Sequence, residues 1–381
     1  MDDNKFDFNM DNGTDAKIVG LVIYLAGCVI NQKDPEIAPL DEQELGEVYR
    51  FASRHMISAI VAEGLEKAGF RDKRSIAETG RALRRTMLFQ KAWEEIASKF
   101  EAAGINYLPL KGMVLKQYYP RMELREMSDY DILIDPFRAD DVKTIMESLG
   151  YSTIKFGVSN HDVYYKEPVL NFELHRELFN ISVGNEVYEY FRNIDQFFQG
   201  DDCRHTLSAE DFYVYMVAHE YKHYSNSGTG LRSLLDTYVY LKQVSLNLDH
   251  LETLLRKLGL SEFEQQNRLL ADHLFSNKQL SDSEKQMLQY VVSSGTYGTM
   301  NHRVDNSVKK LGGNKVRYIL NRFFVPVSPN NKDYAAYAKQ YPLFYKHKIL
   351  LPLLPFYRLL NAFGSGRLSA EVKALKKVSK D

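Results

Sequence analysis

The 381-residue sequence has only two cysteines and one tryptophan, and almost no net charge, −1. Cys28 and Cys203 can form at most one bridge, so no disulfide framework is expected and a reducing cytoplasm fits best. The 49 Lys and Arg balance 50 Asp and Glu, which excludes a global field drawing the chain onto nucleic acid or an anionic membrane. No apolar run reaches the roughly 20 residues needed to span a bilayer. The uncharged stretch 18–30 is too short and reads as a buried helix. "ILLPLLPFYRLLNAF", 349–363, is also too short and is interrupted by Pro352, Pro355 and Arg358. With Lys346, Lys348 and Arg367 beside it, that stretch has features of a membrane-surface helix, but the expectation is a segment docked on the core. The start, "MDDNKFDFNMDNGTDAK", is acidic and polar, the reverse of a signal peptide's basic start.

What the chain does have is an ordinary soluble composition, 44% hydrophobic and 26% charged, rich in Tyr (25) and Phe (21). Its length suits two or three domains. "TGRALRRTMLFQKAWEEIASKFEAAG" spaces Leu83, Met87, Phe89, Trp93, Ile96 and Phe100 at steps close to one helix face, ending near Gly104. The period then changes. "INYLPL" (105–110), "DYDILID" (129–135), "YSTIKF", "VYYK" and "VLNFELH" (169–175) read as strands, with a helix closed by Gly150 among them. From Ser208 helical periodicity returns, opened by a capping box in which Asp211 sits three residues after Ser208. Further helices are expected near 249–258, 261–276 and 281–293, then Pro- and Tyr-rich segments over 326–357. The expected class is α+β: a helical region (1–103), a small mixed-sheet α/β core (104–200) and a second helical region (201–381).

The residues that carry chemistry cluster in the middle. In "YLPLKGMVLKQYYP" a strand ends at Leu110, Lys111-Gly112 makes a tight turn and a helix begins near Met113. Such a turn aims backbone N–H groups at an anion, and Lys111 adds a full charge. In "LREMSDYDILI" Asp129 and Asp131 leave the same face of a strand. Two such carboxylates repel unless a cation lies between them. In "VLNFELHREL" Glu173 lies between apolar neighbours on another strand, and His175 shares its face. Three acids on two strands suit divalent metal ions for in-line phosphoryl transfer, although an outer, solvated face is the bland alternative.

These phrases, together with Arg125, Ser128 and the later His219-x-x-Lys222-His223…Arg232-x-x-x-Asp236, resemble an uncharacterised nucleotidyltransferase-like family. It belongs to the superfamily that includes DNA polymerase beta and the aminoglycoside nucleotidyltransferases. The resemblance runs over about 80–360 and is weakest in the tail, "YPLFYKHKILLPLLPFYRLL". It implies a nucleotidyltransferase core, an NTP donor, and Mg²⁺ held by Asp129, Asp131 and Glu173. It places Lys111, Gly112, Arg125, Ser128 and Lys222 on the nucleotide. His175, His219, His223, Arg232 and Asp236 would support them or face an acceptor of unknown identity, a small molecule, peptide or protein hydroxyl rather than nucleic acid. One departure stands out. The superfamily has Gly-Ser after its first strand; here Gly112 is followed by Met113, so a catalytically weak nucleotide- or partner-binding scaffold is the alternative.

His219-Glu220-Tyr221-Lys222-His223 also matches the H-E-x-x-H pattern of zinc hydrolases. Its surroundings fit less well: Asn226 and Thr229 occupy the places of the extended pattern, and the first downstream candidate for a third ligand is Glu252. Arg232 and Asp236, four apart, are expected to pair along their own helix.

Overall fold

The structure is a computed structural model that describes residues 16–200, 202–324, 337–338, 341–364 and 367–378. The acidic start and the 326–336 part of the Pro- and Tyr-rich stretch lie outside the described residues. Four helices lead: α1 (Ala16–Ile30), α2 (Glu42–Arg54), α3 (Ser58–Lys67) and α4 (Lys73–Ala102). Capping boxes at Asp41/Glu44 and Asp72/Ser75 fix the starts of α2 and α4. The uncharged α1 is almost wholly buried, as expected.

The α/β part follows: β1 (Tyr107–Pro109), a single turn α5 (Gly112–Leu115), β2 (Tyr130–Ile134), α6 (Ala139–Ser148), β3 (Ser152–Lys155), β4 (His161–Lys166) and β5 (Leu170–His175). The sheet order is β1-β2-β5-β4-β3. Only the β2/β5 pair is parallel, so the sheet is mixed. That pair sets Asp131 directly beside Glu173. All five residues of β2 are buried because both sheet faces are covered. Tyr130, Ile132 and Ile134 join one apolar cluster with Phe89, Trp93, Ile96 and Phe100 of α4. Leu133, on the opposite face, joins the helical core. Asp131 shares Leu133's side by alternation and therefore looks toward the helices.

The α4 stripe is shorter than its spacing predicts. Leu83 and Met87 are 45% and 62% exposed. The sheet reaches only the second half of this 30-residue helix, while Ala82 packs with the helical core.

After α7 (Asn185–Phe191) come α8 (Ala209–Tyr224), α9 (Leu231–Gln243), α10 (Leu248–Lys257), α11 (Ser261–Phe275) and α12 (Asp282–Ser294). Their apolar faces form one cluster with α1–α3, so the two helical regions flanking the sheet in sequence share a core. Ser208 caps α8, but Asp211 does not complete the reciprocal box. Its carboxylate, one methylene shorter than glutamate, takes the Ser208 hydroxyl and the Tyr190 phenol instead. The chain ends in α13 (Met300–Lys310), α14 (Lys315–Phe324), α15 (Pro342–Lys346), α16 (Leu354–Gly364) and α17 (Arg367–Lys377), with a small apolar cluster of Val304, Val308, Tyr318 and Ala374. No described helix is long and apolar enough to cross a membrane.

Candidate active site

Where the sheet meets α8 and α9 there is a cleft of about 290 Å³. Lys111, Gly112, Arg125, Ser128, Asp129, Asp131 and Glu173 line its sheet side, and His219, His223, Arg232 and Asp236 its helical side. Most of the residues singled out in the sequence therefore converge on one cavity. Two do not line it. His175 stands behind Asp131, and Lys222 lies beside the cleft rather than in its wall. Lys222 still senses Lys111, Asp131 and Glu173; burial, then Lys111, lowers its pKa.

Asp131 is the organising group. Lys111 Nζ donates to its Oδ1 at 2.7 Å, and His175 Nε2 sits 2.8 Å from the same oxygen. Burial works against the charged carboxylate, but Lys111 and His175 outweigh it and hold this group well below the usual carboxylate range. Both bonds end on Oδ1, which leaves Oδ2 for another ligand. Its neighbours are in the opposite condition. Burial and then Asp131 raise the pKa of Asp129. Burial, then Asp131 and Asp129, push Glu173 up to about 7. The three carboxyls share one cleft, and burial is the first cause of the rise at both Asp129 and Glu173. Their hard oxygen donors suit Mg²⁺, which accepts carboxylates together with phosphate oxygens. The three are not drawn tight around a common point. Among the described residues, the tight group of potential ligands is His161, Glu173 and His175, whose ligand atoms lie within 4.8 Å of one another.

The Lys-Gly turn differs from its expected role. The helix after it is a single turn, and the N–H groups of Met113 and Val114 close onto the Leu110 and Lys111 carbonyls. It has no helix end for an anion. What the turn supplies is the Lys111 ammonium, presented from a strained backbone with φ 45°. Gly112 is required for a steric reason: a Cβ there would meet Arg125 Nη1 at 2.1 Å. Met113 packs against the sheet cluster, so no hydroxyl replaces the missing serine at that point. The wall does carry the Ser128 hydroxyl, which bonds Asp129.

The loop carrying Ser128 and Asp129 is held from several sides. Arg85 of α4 donates to the Met127 and Ser128 carbonyls, both at 2.7 Å. Arg232 of α9 donates to the Glu126 carbonyl at 3.0 Å, and Glu126 accepts from the Ala59 N–H of α3. Arg125 makes two bonds to Asp236, at 3.0 and 2.7 Å, and Tyr119 donates to the same carboxylate at 2.8 Å. The expected Arg232–Asp236 pair is therefore corrected. Asp236 serves Arg125, which reaches it fully buried and with a two-pronged geometry that an arginine four residues along the same helix does not offer.

The zinc reading finds no third ligand: among the described residues no further histidine, cysteine or acid joins His219 and His223 in a tight group. Glu220, which would be the base, is buried and accepts from Asn267 at 3.0 Å. Burial pushes it up to about 7. Glu252 pairs with Arg256 on the exposed surface of α10. His219 and His223 do face each other, Nε2 to Nε2 at 3.2 Å, at the cleft's helical wall. Burial, then Lys111, keeps His219 well below its ordinary pKa, and burial, then Lys222, pushes His223 down to about 4, so both rings are neutral at pH 7.

Sequence reasoning missed His161 and Arg85. His161 on β4 is the cross-strand partner of His175, and its Nε2 lies 3.6 Å from Glu173. Finding it needs the β4/β5 register, which no local pattern supplies. Arg85 sits in the α4 stripe region, and nothing in its neighbourhood announces a contact 42 residues away.

A mixed sheet whose parallel pair aligns two acids, with a third acid and a lysine turn at the same cleft, is the construction of a nucleotidyltransferase-type protein. The chain belongs to an uncharacterised nucleotidyltransferase family, whose model matches residues 41–276. That span contains the sheet, the cleft's acids and both helices of its far wall, and at this coarse level supports a role in nucleotidyl transfer. No curated protein and no solved structure matches the chain.

Proposed function

We propose that the protein transfers a nucleotidyl group from an NTP to a hydroxyl of an acceptor, in the cytoplasm, with Mg²⁺ held by Asp129, Asp131 and Glu173. The observation that carries this reading is geometric: the parallel β2/β5 register sets Asp131 beside Glu173, and Asp129 joins them in the wall of one cleft that also holds Lys111. A divalent ion there would neutralise the carboxylates and the donor's phosphates together. The acceptor oxygen bonds the α-phosphorus, the bond to the bridging oxygen breaks, pyrophosphate leaves, and the hydroxyl proton passes to water.

The chain's own residues have separable parts in this reading. Lys111 is the cation at the phosphate end. Ser128 offers the hydroxyl that the Gly-Ser turn supplies elsewhere. Arg125 and Arg232 anchor the loop that presents Asp129. His219, neutral at pH 7, has a lone pair or N–H with which to orient an acceptor hydroxyl. A thermal-shift screen of the four NTPs, with and without Mg²⁺, tests the proposal against the Asp129→Asn/Asp131→Asn double variant. The expected result is a metal-dependent upward shift with at least one NTP that the variant lacks. Nucleotide binding indifferent to both Mg²⁺ and the substitutions would sink it.

One observation favours a second reading, a binding scaffold of the same fold. Met113 fills the place of the serine with a side chain packed into the sheet core. Such a scaffold would bind NTP and metal without releasing pyrophosphate, and a pyrophosphate assay separates the two.

A further inference from the structure

The charge of the chain is balanced only as a whole. Residues 311–381 hold 13 Lys and Arg against three Asp and Glu, a net of +10, which leaves −11 on residues 1–310. The same C-terminal stretch concentrates exposed apolar side chains. Nine of the 21 exposed large apolar residues among those described fall between 316 and 360.

Their arrangement is not that of ordinary surface helices, which turn a polar face outward. On α14, Tyr318 points into the small C-terminal cluster while Val316, Ile319 and Leu320 are 65%, 42% and 52% exposed. The expected docking of the 349–363 segment on the core does not hold for much of it. Ile349 is 87% exposed, Phe356 62% and Leu360 69%. α14 and α16 touch each other, and Arg358 donates to the Arg322 carbonyl between them. Exposed Arg317, Lys346 and Lys348 flank these residues. Glu371, the acid within 334–380, is already occupied by Arg322 and Tyr318.

We propose that the face built from α14, the 348–353 turn and α16 docks on an anionic lipid surface. The apolar side chains would enter the headgroup boundary, and the cations would meet lipid phosphates at its rim. Charge complementarity favours this occupant: Arg317, Lys346 and Lys348 are exposed beside the apolar residues, and Glu371, the described acid of this stretch, is already paired. No described helix is long and apolar enough for crossing, so the contact is peripheral. The docking group is also tied to the cleft. Asn306 of α13 donates to the Tyr224 and Asn226 carbonyls, at the end of the helix that carries His219 and His223.

Flotation of the full chain with two vesicle types tests this: phosphatidylcholine alone, and phosphatidylcholine mixed with an equal amount of phosphatidylglycerol. The expected result is flotation with the mixed vesicles only, reversed by salt. Two variants, Lys346→Glu/Lys348→Glu and Ile349→Ser/Leu360→Ser, should each weaken it about tenfold or more. All four side chains are exposed, so unchanged melting curves will show that the fold survives. Three outcomes overturn the proposal: no flotation with either vesicle; equal flotation with both; or self-association by light scattering, abolished by the same variants, without lipid binding, which would mean that a second copy covers the face.

Discussion

Asp131 and Asp236 are both buried aspartates on the same cleft, each beside a cation, and they do opposite things. Asp236 is saturated. Arg125 occupies both of its oxygens and Tyr119 adds a third bond, so the group serves to lock the 119–125 segment to α9. Asp131 is half used. Lys111 and His175 share one oxygen, and in the proposed function the other would take the metal. In the proposed function it is the oxygen left over on Asp131, rather than burial or charge, that separates it from the structural Asp236.

The largest effect should come from Asp131→Asn. It removes a ligand oxygen and should cut metal-dependent nucleotide binding about a thousandfold, an effect of ~4 kcal/mol by titration calorimetry. The same change at Asp236 should act on stability. Breaking its buried pair should cost about 3 kcal/mol, seen as a lower denaturation midpoint, while the folded protein keeps its metal response. Equal loss of metal binding in both variants would erase the contrast between them. Gly112→Ala comes next, because the added Cβ collides with Arg125 Nη1; about 2 kcal/mol of destabilisation is expected.

A pH series sharpens the functional side. Glu173, raised to about 7, is protonated below that value and anionic above it. Metal needs the anion, so Mg²⁺ affinity should rise about tenfold from pH 6 to pH 8. Affinity flat across that window would remove Glu173 from the ligand set. The smallest effect should be that of His223→Ala at the open mouth of the cleft, where less than about a threefold change in nucleotide binding is expected.

Much of this was legible in the sequence. The alternation in "DYDILI" and the apolar brackets around Glu173 gave strands and placed Asp131 and Glu173 on them, whereas Asp129, expected on the same strand, lies in the loop just before β2. What remained hidden depended on register and on long-range partners. The Arg232–Asp236 spacing satisfied a sound local rule, and a competitor 111 residues away displaced it. His161 became visible only when β4 lay against β5. The H-E-x-x-H letters were correctly spaced, yet among the described residues no third ligand joins the two histidines.

By itself the sequence determined the kinds of element and the chemistry they carry, because periodicity, capping and turn residues act over a few neighbours at a time. Tertiary structure decided which groups share a cleft, which aspartate has both oxygens engaged by its neighbours, and which apolar side chains are exposed. The physical reason is that an ionisable side chain's state depends on burial and on charges within a few ångströms, and those neighbours come from anywhere along the chain.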